Sequence, residues 1–516
     1  MIESNNFVKI RPCGKDLTII TDHETLETIR ADFCFYVPGA HFTPSFKAKR
    51  WDGKKHFITG GLNVGYAPIG LLYDIVNWFN SRGFDIDWVD YRTPIQFQKI
   101  NPSMGNIILR QYQLEGTLEC LNGGGGIIKL PTGSGKSAVI TAVIRQAMLS
   151  LPETLFVITV PRSSLVLQFY DEMTNEYGIN PNRIGMWGGG KKTWKGQPIL
   201  ITTRQSLCKQ TKKVGRSKVE IIRDITQEVM KYNVMLFIDE CHQAECKSLK
   251  DIIDMVEPQW LFGFTGTLPE EEISQIEVKS VMGDVIYSKK TKELMDLGFL
   301  PPMSITVLKL KHDKAKFKEF MDKIEALKVQ ERINAGIEEV EADGEEEEEK
   351  KNEKYLAEID YASQDEFRNN VIKKITQIHT KKDENVLILV ERVKHGQAIC
   401  DWIPGSVFIY GKDSAKVRYE IQQQCETQKG KIIIATSGIF AMGVSIKRLH
   451  AVLLAGISSA KVSLLQAIGR GLRTHETKQS LKVYDVADTT QYSSRHLRKR
   501  LKVFDNEDFA YKIMEV

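Results

Sequence analysis

The stretch LPTGSGKS, Leu130 to Ser137, sets glycines, a lysine and a hydroxyl residue in the order that phosphate chemistry uses. Gly133 and Gly135 let backbone N–H groups converge on phosphate oxygens with no Cβ in the way. Lys136 then lies against the outer phosphates, Ser137 offers a hydroxyl to Mg2+, and Pro131, Thr132 and Ser134 complete the loop. The general pattern begins with Gly, where this chain has Leu130. A second cluster, Asp239-Glu240-Cys241-His242, follows the apolar run VMLFI. A carboxylate at the carboxyl end of a strand beside such a loop suits a second Mg2+ contact, the role expected of Asp239. Glu240 next to it can orient and deprotonate an attacking water. Far downstream, QAIGRGLR (Gln466 to Arg473) places Arg470 and Arg473 on one helical face. Aimed at a transferring γ-phosphoryl group, such arginines act as fingers worth roughly 10³–10⁵ in rate. Taken alone, that motif reads better as a surface helix with salt bridges. The first two clusters together specify hydrolysis of a nucleoside triphosphate.

These groups need strands that end where the chemistry happens. Apolar runs without alternation fit parallel strands buried on both faces. One series comprises Ile127 to Leu130, Phe156 to Val160, Ile199 to Thr203, Val234 to Ile238 and Trp260 to Phe264. A second comprises Val386 to Val390, Val407 to Tyr410, Ile432 to Thr436, Val452 to Ala455 and Val483 to Val486. Helical periods intervene, as in Ser137 to Met148, where Val139, Ile140, Val143 and Ile144 share a face. The expectation is α/β: two doubly wound parallel-sheet domains, over 99–300 and 301–490, preceded by a small α/β domain over 1–98. In that small domain Phe7 to Ile10 and Leu17 to Ile20 read as strands, and Leu71 to Arg82 as a helix with Leu71, Leu72, Ile75, Val76 and Phe79 buried. A charge-dense insertion at about 311–354, ending in EEVEADGEEEEEKKNEK, cannot bury enough apolar surface to form a core and reads as a solvated helix or mobile segment. Residues 491–516 read as a basic helix, with Leu497, Leu501 and Phe504 inward and Arg495, Arg498, Lys499, Arg500 and Lys502 outward.

Charge places candidate polyanion contacts. The net charge of +5 over 516 residues is mild, so local clustering matters more. FTPSFKAKRWDGKKHF, Phe42 to Phe57, interleaves Lys47, Lys49, Arg50, Lys54 and Lys55 with aromatics including Trp51, opposed only by Asp52. It suits a surface that grips phosphates and stacks on bases, or a hairpin with solvated lysines. The eight cysteines form no CxxC pair, and Cys241, His242 and Cys246 lack further ligands at zinc-finger spacing. With no signal peptide and no apolar run of membrane-spanning length, a reduced, cytoplasmic chain is expected, with no membrane partner.

In order, these elements resemble a superfamily 2 helicase of the DExH type, over about Ile108 to Asp488. RQYQ resembles the motif in which Gln113 reads adenine, beside Arg110. PRSSLVLQF, with Pro161, Arg162 and Gln168, and TTRQSL, with Thr203 and Arg204, resemble strand-tracking motifs. FTGTL, with Thr265, Gly266 and Thr267, resembles the motif coupling hydrolysis to movement, a role in which His242 joins it. IIIATSGIFAMGVSIK brings Thr436 to the tracked strand and Gly443 to the nucleotide, and Gln466 joins the catalytic arginines. GVSIKRLHAVLLA before QAIGRGLR, and FTPSFKAKRWDGK before YAPIGLL, are similar to the tailed-phage UvsW family. That resemblance implies two RecA-like motor domains with ATP and Mg2+ held between them. It also implies a monomer acting on branched or forked DNA and R-loops, with 3′–5′ polarity, branch migration and fork regression, in the cytoplasm of the phage's host. It places Lys47, Lys49, Arg50, Trp51 and Lys54 on DNA, while the basic stretch RHLRKRLKVF, with Arg498, reads either as a second DNA contact or as a docked terminal helix with a solvated face. Ser437 and Ser445 stand where RNA helicases of the DEAD-box kind have Asp, and the acidic insertion is longer than the family leads one to expect. Two other readings are a motor that translocates on duplex DNA without unwinding it, and a nucleic-acid clamp that uses ATP only as a conformational ligand.

Overall fold

The structure, a computed structural model, describes residues 7–208, 210–214, 217–243, 247–334, 344–437, 446–456, 461–473 and 475–516. Its strands build three main sheets. The first contains β1 (Phe7–Cys13), β2 (Asp16–Ile20), β3 (Thr59–Gly60), β4 (Val64–Pro68) and β5 (Asp85–Trp88), in the order β3-β4-β2-β1-β5. β1, β2, β4 and β3 pair antiparallel in succession, and β5 joins β1 in parallel. Alternate residues of β1 and β2 (Val8, Ile10, Leu17, Ile19) face the helix Leu72–Asn80. That helix buries Leu72, Ile75, Val76 and Phe79, a 3.6-residue stripe.

The second sheet adds β6 (Gly126–Lys129), β7 (Thr154–Val160), β8 (Ile184–Gly188), β9 (Lys191–Lys192), β10 (Ile199–Thr203), β11 (Asn233–Asp239), β12 (Trp260–Thr265) and β13 (Val285–Ser288). Its order is β9-β8-β10-β7-β11-β12-β6-β13, and every pair except β9·β8 is parallel. All seven residues of β7 are buried, the mark of a strand covered on both faces. The third sheet has β14 (Met303–Leu310), β15 (Val386–Val390), β16 (Val407–Ile409), β17 (Ile432–Thr436), β18 (Ala451–Leu454), β19 (Leu481–Asp488) and β20 (Tyr511–Glu515). It is all parallel, in the order β16-β17-β15-β18-β19-β14-β20. Along β15, Leu387 and Leu389 enter one core while Val386, Ile388 and Val390 enter the other. These are two RecA-like α/β domains preceded by a small α/β domain.

The helices that position the functional residues are α1 (Gln111–Gly123), α2 (Lys136–Ser150), α3 (Ser163–Asp171), α4 (Gly344–Gln364), α5 (Glu366–Thr380), α6 (Lys461–Gly471) and α7 (Gln491–Asn506). The chain forms two compact units. One comprises the residues up to Leu130 with Gly135–Lys289, and the other Pro131–Ser134 with Lys290–Val516. Within the first unit the small domain is pinned to the motor sheet. Lys279 is 2.6 Å from both Asp74 and Asp284, and the Trp260 indole N–H donates to the Thr93 carbonyl at 2.9 Å.

Several expectations change. β8, β13, β14 and β20 lie outside the expected runs, because sequences such as IGMWG and YKIME interrupt the β-branched pattern that marks a buried strand. Residues 491–516 are not one helix: α7 ends at Asn506 and β20 closes the sheet beside β14. Arg500, expected outward, is buried and donates from Nε and Nη2 to Asp485, both at 2.9 Å. The charged insertion contributes a helix at Lys314–Asn334 and then α4, whose far end docks with Ala357, Glu358 and Tyr361 buried. Glu358 accepts from the Thr490 hydroxyl (2.5 Å) and from the Ser493 and Tyr492 N–H groups (2.7 and 3.0 Å), satisfying donors at the start of α7. Among the described residues no helix is long and apolar enough to cross a membrane.

Candidate nucleotide and nucleic-acid site

The phosphate loop runs from the end of β6 into the N-terminus of α2, where free N–H groups and the helix dipole favour an anion. Gly133 (φ +85°) and Gly135 (φ +81°) adopt left-handed backbone, which needs glycine. A Cβ at Gly135 would come within 2.5 Å of Gln113 Nε2, so the loop and the start of α1 close on each other there. Gln113 is buried, and its Oε1 accepts from the Arg110 N–H at 2.9 Å. Ser134 is buried and turns its hydroxyl back to the Pro131 carbonyl (2.7 Å), stiffening the loop. Lys136 Nζ donates to the Leu130 carbonyl at 3.4 Å, a long bond easily exchanged for a stronger acceptor. Ser137 Oγ lies 2.9 Å from Tyr177 Oη. Thr132 and Gly133 share a compact unit with α6, where a Cβ on Gly469 would lie 2.7 Å from Thr132 Cβ. Arg473 Cγ would lie 3.6 Å from a Cβ on Gly133. Gln466 and Arg470 are half-buried on the same helix.

β11 delivers the acidic cluster to the same carboxyl edge as the loop, since β11, β12 and β6 are parallel neighbours. Burial and the adjacent charge of Glu240 push the Asp239 carboxyl up to about 7, against the pull of Lys136. Glu240 sits at φ +55°, a left-handed conformation uncommon for a residue with a side chain and of the kind that collects at functional sites. Donor and acceptor capacity then fixes the direction of the neighbouring bonds. The Thr265 hydroxyl gives its proton to the Thr267 carbonyl (2.7 Å) and accepts from the Thr267 N–H (3.2 Å). His242 Nδ1, 3.1 Å from Thr265 Oγ1, must therefore be the N–H donor to it, and the same nitrogen lies 3.3 Å from Glu240 Oε2. Glu240, His242, Thr265 and Thr267 form one chain, with Gly266 inside the turn.

Of the residues expected on the tracked strand, Pro161, Arg162, Arg204 and Thr436 are half-buried at strand ends or first helical positions. Gln168 points elsewhere, donating to Glu172 Oε1 at 2.7 Å. Thr203 is buried, and its hydroxyl oxygen accepts from the Ser206 N–H, capping the short helix Arg204–Leu207, and lies 2.9 Å from Ser206 Oγ. In the basic segment, the expected hairpin is replaced by a helical turn, Pro44–Lys47, capped by Thr43, and a short strand, Lys54–His56, paired with Cys34–Tyr36. Lys47, Lys49 and Arg50 are exposed, with Lys49 at φ +54°. Lys54 Nζ sits 4.7 Å above the Tyr36 ring. Trp51 is half-buried and its indole N–H donates to the Lys54 carbonyl at 2.7 Å, tying it into the turn. Asp52 engages the Lys54 N–H and His56. Arg498 is exposed on α7. Gly443, Ser445 and Cys246 lie outside the described residues.

The residues fit a magnesium nucleotide. Hard oxygen donors (Ser137, Asp239), a like-charged carboxylate pair in need of a cation, and a glycine cradle meet at one edge. Two residues at this edge, Tyr177 and Glu172, carry no motif; they lie beyond α3, past or within a π-helical turn at Glu172–Glu176 that no 3.6-residue period announces.

Residues 106–270 match the family described as type III restriction enzyme, res subunit, and residues 368–475 match the helicase conserved C-terminal domain. Fold, loop, acidic cluster and these matches define an ATP-driven enzyme of the superfamily 2 helicase class. Within that class the chain is similar to the UvsW type. It is 26% identical over 533 residues to the ATP-dependent DNA helicase uvsW of Enterobacteria phage T4, spanning 96% of both chains. It is 27% identical over 194 residues to the DNA 3′-5′ helicase XPB of Kineococcus radiotolerans, covering 38% of this chain and 32% of that one. Among solved structures, that of T4 UvsW aligns over 99% of both chains at 24% identity and TM-score 0.46. A fragment assigned as an HsdR subunit of a type I restriction enzyme from Vibrio vulnificus shares the fold at TM-score 0.51 and 15% identity, over 79% of this chain and 68% of that one.

Proposed function

We propose that this chain is a Mg2+- and ATP-dependent DNA helicase that remodels branched DNA (forks, four-way junctions and R-loops) with 3′–5′ polarity, as a monomer in the cytoplasm of a phage-infected cell. The observation that carries this reading is the convergence of LPTGSGKS and DECH on one sheet edge, with the FTGTL turn bonded to His242. Similarity to a DNA helicase along nearly the whole chain, including the small N-terminal domain, supports the substrate. In this account Lys136 binds the outer phosphates, Ser137 and Asp239 hold Mg2+, Gln113 and Arg110 take the adenine, and the rest of the loop cradles the triphosphate. The bound Mg2+ neutralises phosphate charge. Glu240 takes a proton from the attacking water, and Arg470 and Arg473 stabilise charge on the transferring γ-phosphoryl group. Because His242 donates to Thr265 and lies against Glu240, loss of the γ-phosphate reaches the Thr265–Thr267 turn by rearranging these contacts. Pro161, Arg162, Arg204 and Thr436 line the tracked strand, and the contacts of Arg162, Arg204 and Thr436 are to phosphate and so independent of sequence. Exposed Lys47, Lys49 and Arg50 hold a duplex arm, with Lys54 and Arg498 as further contacts.

The match to the restriction-enzyme res subunit favours one second reading, a motor that translocates along duplex DNA without separating it. One ATP-dependent assay comparing a fork, a four-way junction, an R-loop and an RNA duplex separates the two. Strand separation of the branched DNAs is expected, and translocation with all substrates left paired supports the second reading. Neutralising Lys47, Lys49 and Arg50 lowers the log–log salt slope of DNA binding by about one unit for each phosphate no longer paired with a cation. An unchanged slope contradicts their role.

A further inference from the structure

The nucleotide site has a neighbour outside every motif. α3 begins within PRSSLVLQF and continues into the π-helical turn Glu172–Glu176. Such turns insert one residue, rotating the downstream side chains by about 100°, and are frequent at functional sites. Gln168 Nε2 ties the last turn of α3 to Glu172 at 2.7 Å. On its far side the π turn is held by Asn106, whose N–H donates to the Glu176 carbonyl and whose Nδ2 donates to the Asn175 carbonyl, both at 2.8 Å. A Cβ on Gly105 (φ +60°) would come within 2.5 Å of the Glu176 oxygen, so this clasp requires glycine there. Met173 is fully buried beneath the turn. The consequence is that Tyr177, 6% exposed, brings its hydroxyl to 2.9 Å from Ser137 Oγ at the start of α2.

We propose that Tyr177 is a positioning residue for the Mg2+-binding hydroxyl of Ser137, and that the π turn carrying it joins the α3 strand-tracking segment to the nucleotide site. This rests on the reading of Ser137 as a metal ligand. A serine hydroxyl that donates its proton to the tyrosine oxygen keeps both lone pairs for a cation. Without that acceptor the hydroxyl samples its other staggered positions, and metal binding must select one of them. A displacement of α3 moves the π turn, because Gln168 and Glu172 are bonded, and so changes how well Ser137 is presented.

Tyr177→Phe removes the acceptor and keeps the packed ring. The experiment measures binding of a fluorescent ADP to the full chain with Mg2+ and with chelator, alongside thermal unfolding. One net hydrogen bond corresponds to a loss of about three- to tenfold in the Mg2+-dependent gain of affinity. Metal-free affinity and the unfolding midpoint stay at wild-type values, and Tyr177→Phe has no further effect in a Ser137→Ala background. Equal weakening with and without Mg2+, or additive effects with Ser137→Ala, overturn the proposal. Indifference of the wild-type chain to Mg2+ refutes the metal reading of Ser137 and this inference together. A Mg2+-dependent wild type with an unaltered Tyr177→Phe variant refutes the inference alone.

Discussion

The carboxyl edges of the two motor sheets carry polar clusters of opposite character. In the first sheet Asp239 and Glu240 are adjacent carboxylates, and Asp239 is held well above the usual carboxylate range by burial and by its neighbour. In the second, Asp488 ends β19 buried and fully answered: Arg368 Nε donates to both its oxygens (3.1 and 3.2 Å), and His312 Nε2 reaches it at 2.7 Å. His312 Nδ1 meets Asp365 at 2.5 Å, and Arg368 Nη1 donates to His395 Nε2 at 3.2 Å. Burial, then the Arg368 charge, drops His395 to about 3, so its ring is neutral and accepts that bond. Burial alone would raise Asp488, yet the Arg368 charge and the His312 bond bring it below the usual range. In the first cluster the pull of Lys136 is outweighed by burial and the Glu240 charge, whereas in the second Arg368 and His312 outweigh burial. An edge left electrostatically unsatisfied is one built to receive a ligand, whereas a satisfied one holds the architecture together.

Breaking the satisfied cluster has the largest effect on stability. Arg368→Met leaves Asp488 buried without its main counter-charge, which costs about 3–5 kcal/mol. Urea denaturation followed in the second unit reads this; a loss below about 1 kcal/mol would show that the network is ornamental. The opposite sign is expected in the first unit. Asp239→Asn relieves the like-charge pair and raises stability in the absence of nucleotide by about 1–2 kcal/mol, while abolishing hydrolysis. A destabilised Asp239→Asn variant would contradict the contrast.

A smaller, pH-dependent effect sharpens it. Burial acts to lower the His312 pKa, but the bonds and charges of Asp488 and Asp365 outweigh it and raise the value above 6.5. A raised folded pKa means that His312 stabilises fully below about 6.5 and progressively less as pH climbs through the folded value. Asp488, depressed below 3.8, stabilises above that pH and loses its contribution as acid titrates it. Unfolding of the second unit therefore becomes easier on both sides of a window from about pH 4 to 6.5, and His312→Gln flattens the alkaline side. A variant retaining the wild-type alkaline slope would assign that slope to other groups.

How far each cluster is legible in the chain depends on how it is assembled. The phosphate loop is eight consecutive residues, and the acidic cluster immediately succeeds a strand, so spacing alone exposes them. The two strand series are visible because β-branched runs lacking alternation have few other uses. The second cluster draws on residues 312, 365, 368, 395 and 488, brought together only by tertiary packing, with His312 and Asp488 176 positions apart. Arg500 is misread for the same reason: helical period puts it at a flank, and only the neighbouring strand supplies Asp485 to receive it. Thr203 reads as a strand contact because a threonine in TTRQSL carries no sign that its hydroxyl caps the next helix. Tyr177 is invisible because the π turn shifts phase where periodic reading assumes none.

The central claim is that the unsatisfied edge hydrolyses Mg2+-ATP in a reaction driven by DNA. Its most direct test is the rate of phosphate release by the full chain, with and without a forked DNA, for wild type and Glu240→Gln. The account predicts stimulation by the fork, and a loss of about 10²–10⁴ in Glu240→Gln with nucleotide and DNA binding retained. A rate indifferent to DNA, or a Glu240→Gln variant hydrolysing at the wild-type rate, would contradict it.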